Sequence, residues 1–516
     1  MNTIICAGGS GSRVLESIIH LCASGLGPDE MRVFIVDPDK SNGNGTHTSG
    51  LLAAYLETQK AVERSDTALG LFHTKFDLLY GEKERGGGLR VWSPVPAGKT
   101  LGDILNFNNL RGTDADVARL LFTEEELTTG LDHGFLGRPA IGAAAMSLLS
   151  TKQDEEPWPA LTARIKSDLN HPEGSRVLII GSVFGGTGAS SIHPLVRFLK
   201  TIPEINAERL KIAVVALVPY FEFVSGNVDQ EESREERISA RSERFLVKTK
   251  AAVRFYEHLK SNQDWDFEGM YWIGNSENRR VRRASGGSQQ KNPAHPVELM
   301  AALASLEYFD DPKIRKLCHY CGPAQGEAID QPNEVRWTDL PMRPSGRKRI
   351  EHAIRCFFLA SFTHLAYFRD LLDEESVLDD RPYCIPWYLD KFALKKDWLT
   401  DSKNRADLNK YESYLKSFYF PWWIDLHRER ETKLLRRDTF MEGPSDEARR
   451  NLRLGYLADL FYDNRGAEKD PYAIDRFFDA MVKVSSKKGA GFQDGVGAYV
   501  SLLLRAAQRY IDPKEK

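Results

Sequence analysis

The sequence has few features that would set it apart from ordinary globular proteins. Its six cysteines are too few in 516 residues for a disulfide framework, so we expect a reducing, cytoplasmic environment. No run reaches the roughly 18 consecutive apolar residues of a membrane helix, and no basic leader precedes the first apolar segment, so we expect neither a membrane span nor a signal peptide. The 70 Lys and Arg residues nearly balance the 73 Asp and Glu residues, which argues against a nucleic-acid coat.

Metal-ligand and P-loop patterns are also missing. The pair Cys318 and Cys321 forms one isolated C-x-x-C without the two further ligands that a structural zinc site requires, so we expect ordinary cysteines and no metal held by the protein alone. A Gly-Lys-Thr at 98–100 follows Pro94 and Pro96 in place of the strand and glycine of a P-loop.

What is present in the first 306 residues is an alternation of short apolar runs, glycine-rich loops and amphipathic segments. This alternation predicts an α/β fold with a Rossmann-like parallel sheet. In such a sheet, ligands bind at the carboxyl ends of the strands. The predicted strands are Thr3–Ala7, Arg32–Val36, Arg176–Ile180, Lys211–Val218 and Met270–Ile273.

The rest of the chain has a different pattern. We expect an α/β domain over 1–306 with a central helix near 292–308, a connector rich in Pro and Gly over 307–349, and a mostly helical domain over 350–516.

Two glycine-rich loops follow predicted strands and precede predicted helices. The first is Gly8-Gly9-Ser10-Gly11-Ser12, and the second is Gly185-Gly186-Thr187-Gly188. Such a loop binds an anion through its backbone N–H groups and the dipole of the next helix, or it has glycines only because the turn requires their backbone conformation. Two such loops on adjacent strands favour a nucleoside triphosphate. A third turn, over 134–142, would add Gly137 and Arg138 as phosphate donors.

The second strand ends at Asp37, which is where a Rossmann fold places an acidic residue that accepts a ribose hydroxyl. Together with Gly9-Ser10-Gly11, Asp37 is compatible with an alternative function, that of an enzyme that uses a nicotinamide dinucleotide. The last glycine of that dinucleotide pattern is replaced by Val14.

In the order of these motifs, the sequence resembles the tubulin/FtsZ superfamily of GTPases, in particular its divergent bacterial tubulin-like branch. The superfamily loop G-G-G-T-G-[ST]-G is matched in its centre by Gly185–Gly188. The family's order is also followed by the turn over 134–142, the strand that leads to Glu222, Asn275 after the next strand, and Asn292 at the start of the central helix.

The resemblance implies binding of GTP or GDP with Mg²⁺, and hydrolysis of GTP to GDP and phosphate. It assigns the sugar to Glu222 and the guanine base to Asn275 and Asn292, and it gives the phosphates to the glycine-rich loops. It also implies self-association into an oligomer or filament, in which an acidic residue acts on the nucleotide of the neighbouring subunit. Asp339 is our candidate for that catalytic residue, with Asp330 as the alternative.

Two other functions stay open. The altered flanks of the central motif, and the lack of an N-x-D-x-x-D pattern, suit a nucleotide-binding switch or scaffold that does not hydrolyse and that acts on a partner protein. The other is the NAD(P) enzyme described above.

Overall fold

The computed structural model describes residues 1–63, 70–80, 88–135, 137–202, 205, 209–224, 242–262, 264–275, 279–282, 287–310, 317–322, 335–341, 344–368, 401–428, 432–435, 473–485 and 495–512. Asp330 lies outside these residues. Within the described part of the chain, no helix combines the length and the apolar character needed to cross a bilayer.

Ten strands form the sheets of the described chain. They are β1 (Asn2–Ala7), β2 (Glu30–Val36), β3 (Lys75–Asp77), β4 (Val91–Trp92), β5 (Ser175–Ser182), β6 (Leu210–Leu217), β7 (Phe221–Val224), β8 (Gly269–Ile273), β9 (Arg279–Arg282) and β10 (Leu317–Cys321). The five predicted strands are therefore confirmed, as β1, β2, β5, β6 and β8.

The α-helices of the described chain are numbered, like the strands, in chain order. They are α1 (Gly8–Ala23), α2 (Gly43–Val62), α3 (Leu101–Ile104), α4 (Gly112–Leu121), α5 (Glu124–Leu127), α6 (Pro139–Met146), α7 (Trp158–Leu169), α8 (Thr187–Thr201), α9 (Phe245–Ser261), α10 (Pro296–Asp310), α11 (Pro344–Thr363), α12 (Ser402–Tyr414), α13 (Phe420–Leu426), α14 (Ala473–Ser485) and α15 (Val496–Ile511). Short π-helical segments, His364–Phe368 and Leu415–Tyr419, extend α11 and α12.

The main sheet is parallel throughout and has the order β10-β8-β6-β5-β1-β2-β3, with β4 also paired to β2. From β3 to β8 this is the 3-2-1-4-5-6 order of a Rossmann-like fold, and β10 adds a seventh strand at the edge. The predicted α/β class with a Rossmann-like sheet is therefore confirmed.

Both faces of the sheet are covered by helices, because the strand side chains alternate between two apolar clusters. Ile4 and Cys6 of β1 face a cluster with α1, α2 and α10, whereas Ile5 faces a cluster with α7, α8 and α9. A parallel sheet buried on both faces explains why the strands are continuous apolar runs.

The segment after α10 adds to the sheet. Part of the predicted connector, Leu317–Cys321, forms the edge strand β10 beside β8. Beyond residue 344, the described elements are helices, and α11, α12, α13 and α15 contribute side chains to the same apolar cluster as α1 and α2. The division at 306 and 349 stays a prediction.

Candidate functional site

The glycine-rich loops line a cleft at the carboxyl edge of the sheet, between β1 and β5. The chain runs from β1 toward β2 on one side and from β5 toward β6 on the other, so the strand order reverses here, which is where open α/β sheets bind their ligands. The space between its walls is about 920 Å³, a volume that includes its open mouth.

Two helix N-termini form the floor of the cleft. Helix α1 begins at Gly8 directly after β1, and α8 begins at Thr187 after the turn that follows β5. Neither has a side-chain cap or an acidic residue in its first turn. The two turns touch, because a Cβ built on Gly8 would lie 3.1 Å from Thr187 Cβ. The positive ends of both helix dipoles therefore meet in one place.

Two further glycines allow this close approach. A Cβ on Gly11 would lie 2.7 Å from the Ile180 carbonyl oxygen, and one on Gly188 would lie 2.6 Å from the backbone of Ser182. Only glycine lets the helices start this close to the strands.

One wall of the cleft is acidic and follows β2. Asp37 is buried, and burial raises the pKa of its carboxyl to about 7. Its Oδ1 accepts the Asp39 N–H at 3.2 Å and the Thr187 hydroxyl at 3.4 Å. Asp39 is bound to the surrounding loops, since it accepts the N–H groups of Ser41 and Gly287. Asp37 is thus the carboxylate of this wall that remains suited to a cation or a hydroxyl donor.

The same wall continues into a group of amide side chains. Asn42 caps α2 by accepting the Asn44 N–H, and its Nδ2 donates to Gln290 Oε1 at 3.1 Å. Asn44 Oδ1 accepts the Asn292 N–H at 2.9 Å. The amides tie the start of α2 to the segment before α10.

Another part of the lining is aromatic. Phe184 precedes the second glycine-rich turn, and its ring centroid lies 4.8 Å from that of Phe245 and 5.4 Å from that of Phe221. Phe223 packs on both Phe221 and Phe245. Aromatic faces of this kind stack on planar rings, so this wall is suited to a heterocyclic base.

A buried ion pair supports the cleft from below. Arg13 of α1 donates to both carboxylate oxygens of Glu298 in α10, at 2.8 and 3.0 Å, and to the carbonyl of Asn292. The Tyr220 hydroxyl donates to the same carboxylate at 2.9 Å. The Arg13 charge is therefore neutralised within the protein, and Arg13 holds α1 against α10.

The structure brings ten of the predicted site residues together as lining of the cleft. They are Gly8, Gly9, Ser10, Asp37, Gly137, Gly185, Gly186, Thr187, Gly188 and Asn292.

The other six predicted residues lie outside this lining. Gly11 packs on the strands, and the buried Ser12 hydroxyl donates to the Gly8 carbonyl within α1. The remaining four have other places in the described chain: Arg138 pairs with Glu126 at 2.7 Å, Glu222 of β7 pairs with Arg280 at 3.1 Å, Asn275 follows β8, and Asp339 Oδ2 accepts the Arg336 N–H.

Sequence reasoning overlooked the amides and the aromatic wall. The run Asn42-Gly43-Asn44-Gly45, which follows β2 after a five-residue loop, is typical of a turn that caps a helix, and this pattern would have predicted the start of α2. No comparable pattern marks Phe221, Phe223 or Phe245, because their proximity to Phe184 arises from tertiary packing.

No family model matches the chain, and no curated protein is similar to it. The fold and the cleft together define a Rossmann-like α/β protein with a cleft at the reversal of its strand order.

Proposed function

We propose that this chain is a tubulin/FtsZ-like protein that binds GTP or GDP with Mg²⁺ in the cleft and hydrolyses GTP. The observation that carries the proposal is the meeting of two uncapped helix N-termini, at Gly8 and Thr187, at the switch point of the sheet. Backbone N–H groups at such a place bind phosphate.

In this proposal the nucleotide runs across the cleft. The phosphates lie on Gly8–Ser10 and Gly185–Gly188, and the base lies toward the aromatic wall around Phe184. Asn292 is the lining residue that the family resemblance assigns to guanine, and its side-chain amide makes no hydrogen bond with the described residues.

The donor set fits Mg²⁺. This ion is usually held by one or two carboxylates together with substrate phosphates and water, and the cleft offers Asp37 and the Thr187 hydroxyl. No group of three or more His, Cys, Asp or Glu side chains in the described chain could hold a metal by itself. When bound, Mg²⁺ would neutralise charge on the phosphates.

The first experiment identifies the nucleotide. The purified protein is denatured, the released small molecules are separated by ion exchange, and GTP, ATP and NAD are each titrated into nucleotide-free protein with Mg²⁺. We expect release of GTP or GDP and selective binding of GTP. Selective binding of NAD, or no binding at all, would contradict the proposal.

A matched pair of variants at Gly185 tests the site. A Cβ there would meet the Ser182 Oγ at 2.8 Å, and this hydroxyl can rotate away. Gly185→Asp places a carboxylate against the phosphates, and we expect GTP affinity to fall at least about 100-fold. Gly185→Asn has the same shape without the charge and should lose less than about 10-fold. Equal losses in both variants would mean that the phosphates bind elsewhere.

Hydrolysis in this proposal requires a second subunit. Asp339 lies outside the lining of the cleft of its own chain, so it would act only on the nucleotide of a neighbour in an oligomer or filament. We expect the GTPase rate to rise more than linearly with protein concentration and to be lost in Asp339→Asn. A strictly linear rate would exclude the composite site.

A non-hydrolysing switch or scaffold for a partner protein is the second candidate. The loop contacts that occupy Asp39 favour it, because they hold a carboxylate of the acidic wall away from any role in hydrolysis. Full occupancy with GTP but no release of phosphate at any protein concentration would support this candidate over the GTPase. In both proposals the protein acts in the cytoplasm.

A further inference from the structure

The side chain of Asn44 lies against the first glycine-rich turn. Asn44 is the second residue of α2 and lines the cleft, although its exposed fraction is 2%. A Cβ built on Gly9 would lie 3.1 Å from Asn44 Nδ2. Glycine at position 9 therefore lets the amide nitrogen approach the turn on which the phosphates are proposed to lie.

A hydrogen bond on the other side of this amide fixes its orientation. Asn44 Oδ1 accepts the N–H of Asn292 at 2.9 Å. Since an N–H group donates to the oxygen of an amide and not to its nitrogen, the NH2 group is the part that faces Gly9. Nδ2 makes no hydrogen bond with the described residues. Asn44 therefore presents two buried donors beside the first turn, and neither has an acceptor in the described chain.

The charges around the cleft make such neutral donors important for an anion. Among the described lining residues, Arg13 is the one arginine or lysine, and Glu298 neutralises its charge. Hydrogen bonds to a bound anion therefore come from backbone N–H groups and from neutral side chains. A buried donor without a partner carries a desolvation cost, which a ligand oxygen removes, and a charged oxygen forms the stronger hydrogen bond.

We propose that Asn44 donates a side-chain N–H to a phosphate oxygen of the nucleotide bound at the first turn, while its own oxygen holds Asn292. This inference rests on the nucleotide site proposed above. One amide then sets the position of the phosphates relative to Asn292, the residue that the proposed function assigns to guanine.

Two substitutions of Asn44 distinguish a phosphate contact from a purely structural role. Asn44→Asp keeps the oxygen that accepts the Asn292 N–H and replaces the NH2 group by a charged oxygen. It should fold, because an acidic residue in the first turn of a helix is favourable. Asn44→Ala removes both groups and adds no charge.

GTP and inorganic triphosphate are each titrated with Mg²⁺ into the nucleotide-free proteins. We expect Asn44→Ala to lose about 10-fold to 100-fold in affinity for both ligands, as for a hydrogen bond to a charged group. Asn44→Asp should lose more than Asn44→Ala, because a carboxylate then faces the phosphate oxygen. A structural role predicts the reverse order, since Asn44→Asp retains the bond to Asn292.

Asn42→Asp is the matched control for the added charge. It places the same carboxylate two residues away on the same wall and keeps the oxygen that caps α2. Asn42 Nδ2 already donates to Gln290 Oε1, so we expect no phosphate contact to be lost. Its loss of affinity should be at least about 10-fold smaller than that of Asn44→Asp. Equal losses would mean that the charge of the wall acts at a distance, and the role of Asn44 would be wrong.

The outcomes separate this inference from the proposed function. If Asn44→Ala weakens GTP but not inorganic triphosphate, or weakens both more than Asn44→Asp does, the nucleotide site stands and the phosphate contact is overturned. If the unaltered protein binds inorganic triphosphate without selecting GTP, the proposed function fails and the triphosphate titrations still decide the role of Asn44. Binding of neither ligand overturns both. Thermal unfolding identifies a variant that misfolds; should Asn44→Ala do so, an Asn44→Asp affinity equal to that of Asn42→Asp overturns the contact.

Discussion

Asp37 is the carboxyl group of the cleft whose protonation the fold changes most clearly. It follows β2 in a buried position, and burial is the main cause of the rise in its pKa from 3.8 to about 7. The Asp39 carboxylate raises it further, whereas the Asp39 N–H and the Thr187 hydroxyl lower it. A buried group that resists ionisation costs stability and is suited to meeting a cation.

This pKa predicts how stability depends on pH. Between about pH 4 and 7, Asp37 is ionised in the unfolded chain and protonated in the folded one, so the free energy of unfolding falls as pH rises through this window. At about 1.4 kcal/mol per pKa unit, the cost reaches a few kcal/mol above pH 7. In Asp37→Asn this cost is absent.

The measurement is urea unfolding of the nucleotide-free protein and of Asp37→Asn at pH 5, 6, 7 and 8. We expect the variant to gain stability over the unaltered protein as pH rises, with the difference levelling off above pH 7. A difference that does not vary with pH would show that Asp37 ionises normally in the folded state.

At the scale of elements, the junctions between strands and helices hold the cleft in shape. Helix α1 starts without a loop after β1, and this is possible because Gly11 lies against the carbonyl of Ile180. The backbone of β5 cannot yield as a flexible side chain can. The position of α1 relative to β5, and with it the spacing of the two N-termini, therefore depends on the missing Cβ.

Gly11→Ala should therefore destabilise the protein, by about 1–3 kcal/mol or more, as overpacked sites do. Gly45→Ala is the matched control, because it lies in the first turn of α2 and its Cβ would make ordinary contacts, at 3.8 Å from Ile35. There, replacement of a helical glycine should be neutral or stabilising by up to about 1 kcal/mol. Urea unfolding of both variants checks this, and equal effects would contradict the close approach.

At the scale of the whole molecule, the later helices share a core with the sheet. Trp422 Nε1 of α13 donates a hydrogen bond to the Ser17 hydroxyl at 3.1 Å. His20 of α1 forms a hydrogen bond with the Tyr414 hydroxyl at 2.8 Å. Both contacts are buried, and α12 packs on α2. Without these helices, the outer apolar sides of α1 and α2 would face water.

We therefore expect α1 and α12 to unfold together in the full-length chain. Native-state hydrogen exchange checks this, because the slowest amides of the two helices should open with the same free energy, within about 1 kcal/mol. If the amides of α12 open at a much lower cost than those of α1, the helical part is a separate cooperative unit, as the division predicted from sequence would have it.

The sequence by itself determined the α/β class, five strands of the sheet and the two glycine-rich turns at the cleft. These features are encoded locally, since apolar periodicity and glycine act over a few neighbouring residues. It also placed Asp37 and Asn292 among the residues that line one cleft.

Only the tertiary structure decided which distant residues complete the cleft. Phe221 and Phe245 line it because β6 lies beside β5, whereas Glu222 forms an ion pair with Arg280 of β9. It also placed 317–321 at the edge of the sheet. Strand order and the packing of helices on a common core depend on contacts far apart in the chain, and no local pattern records them.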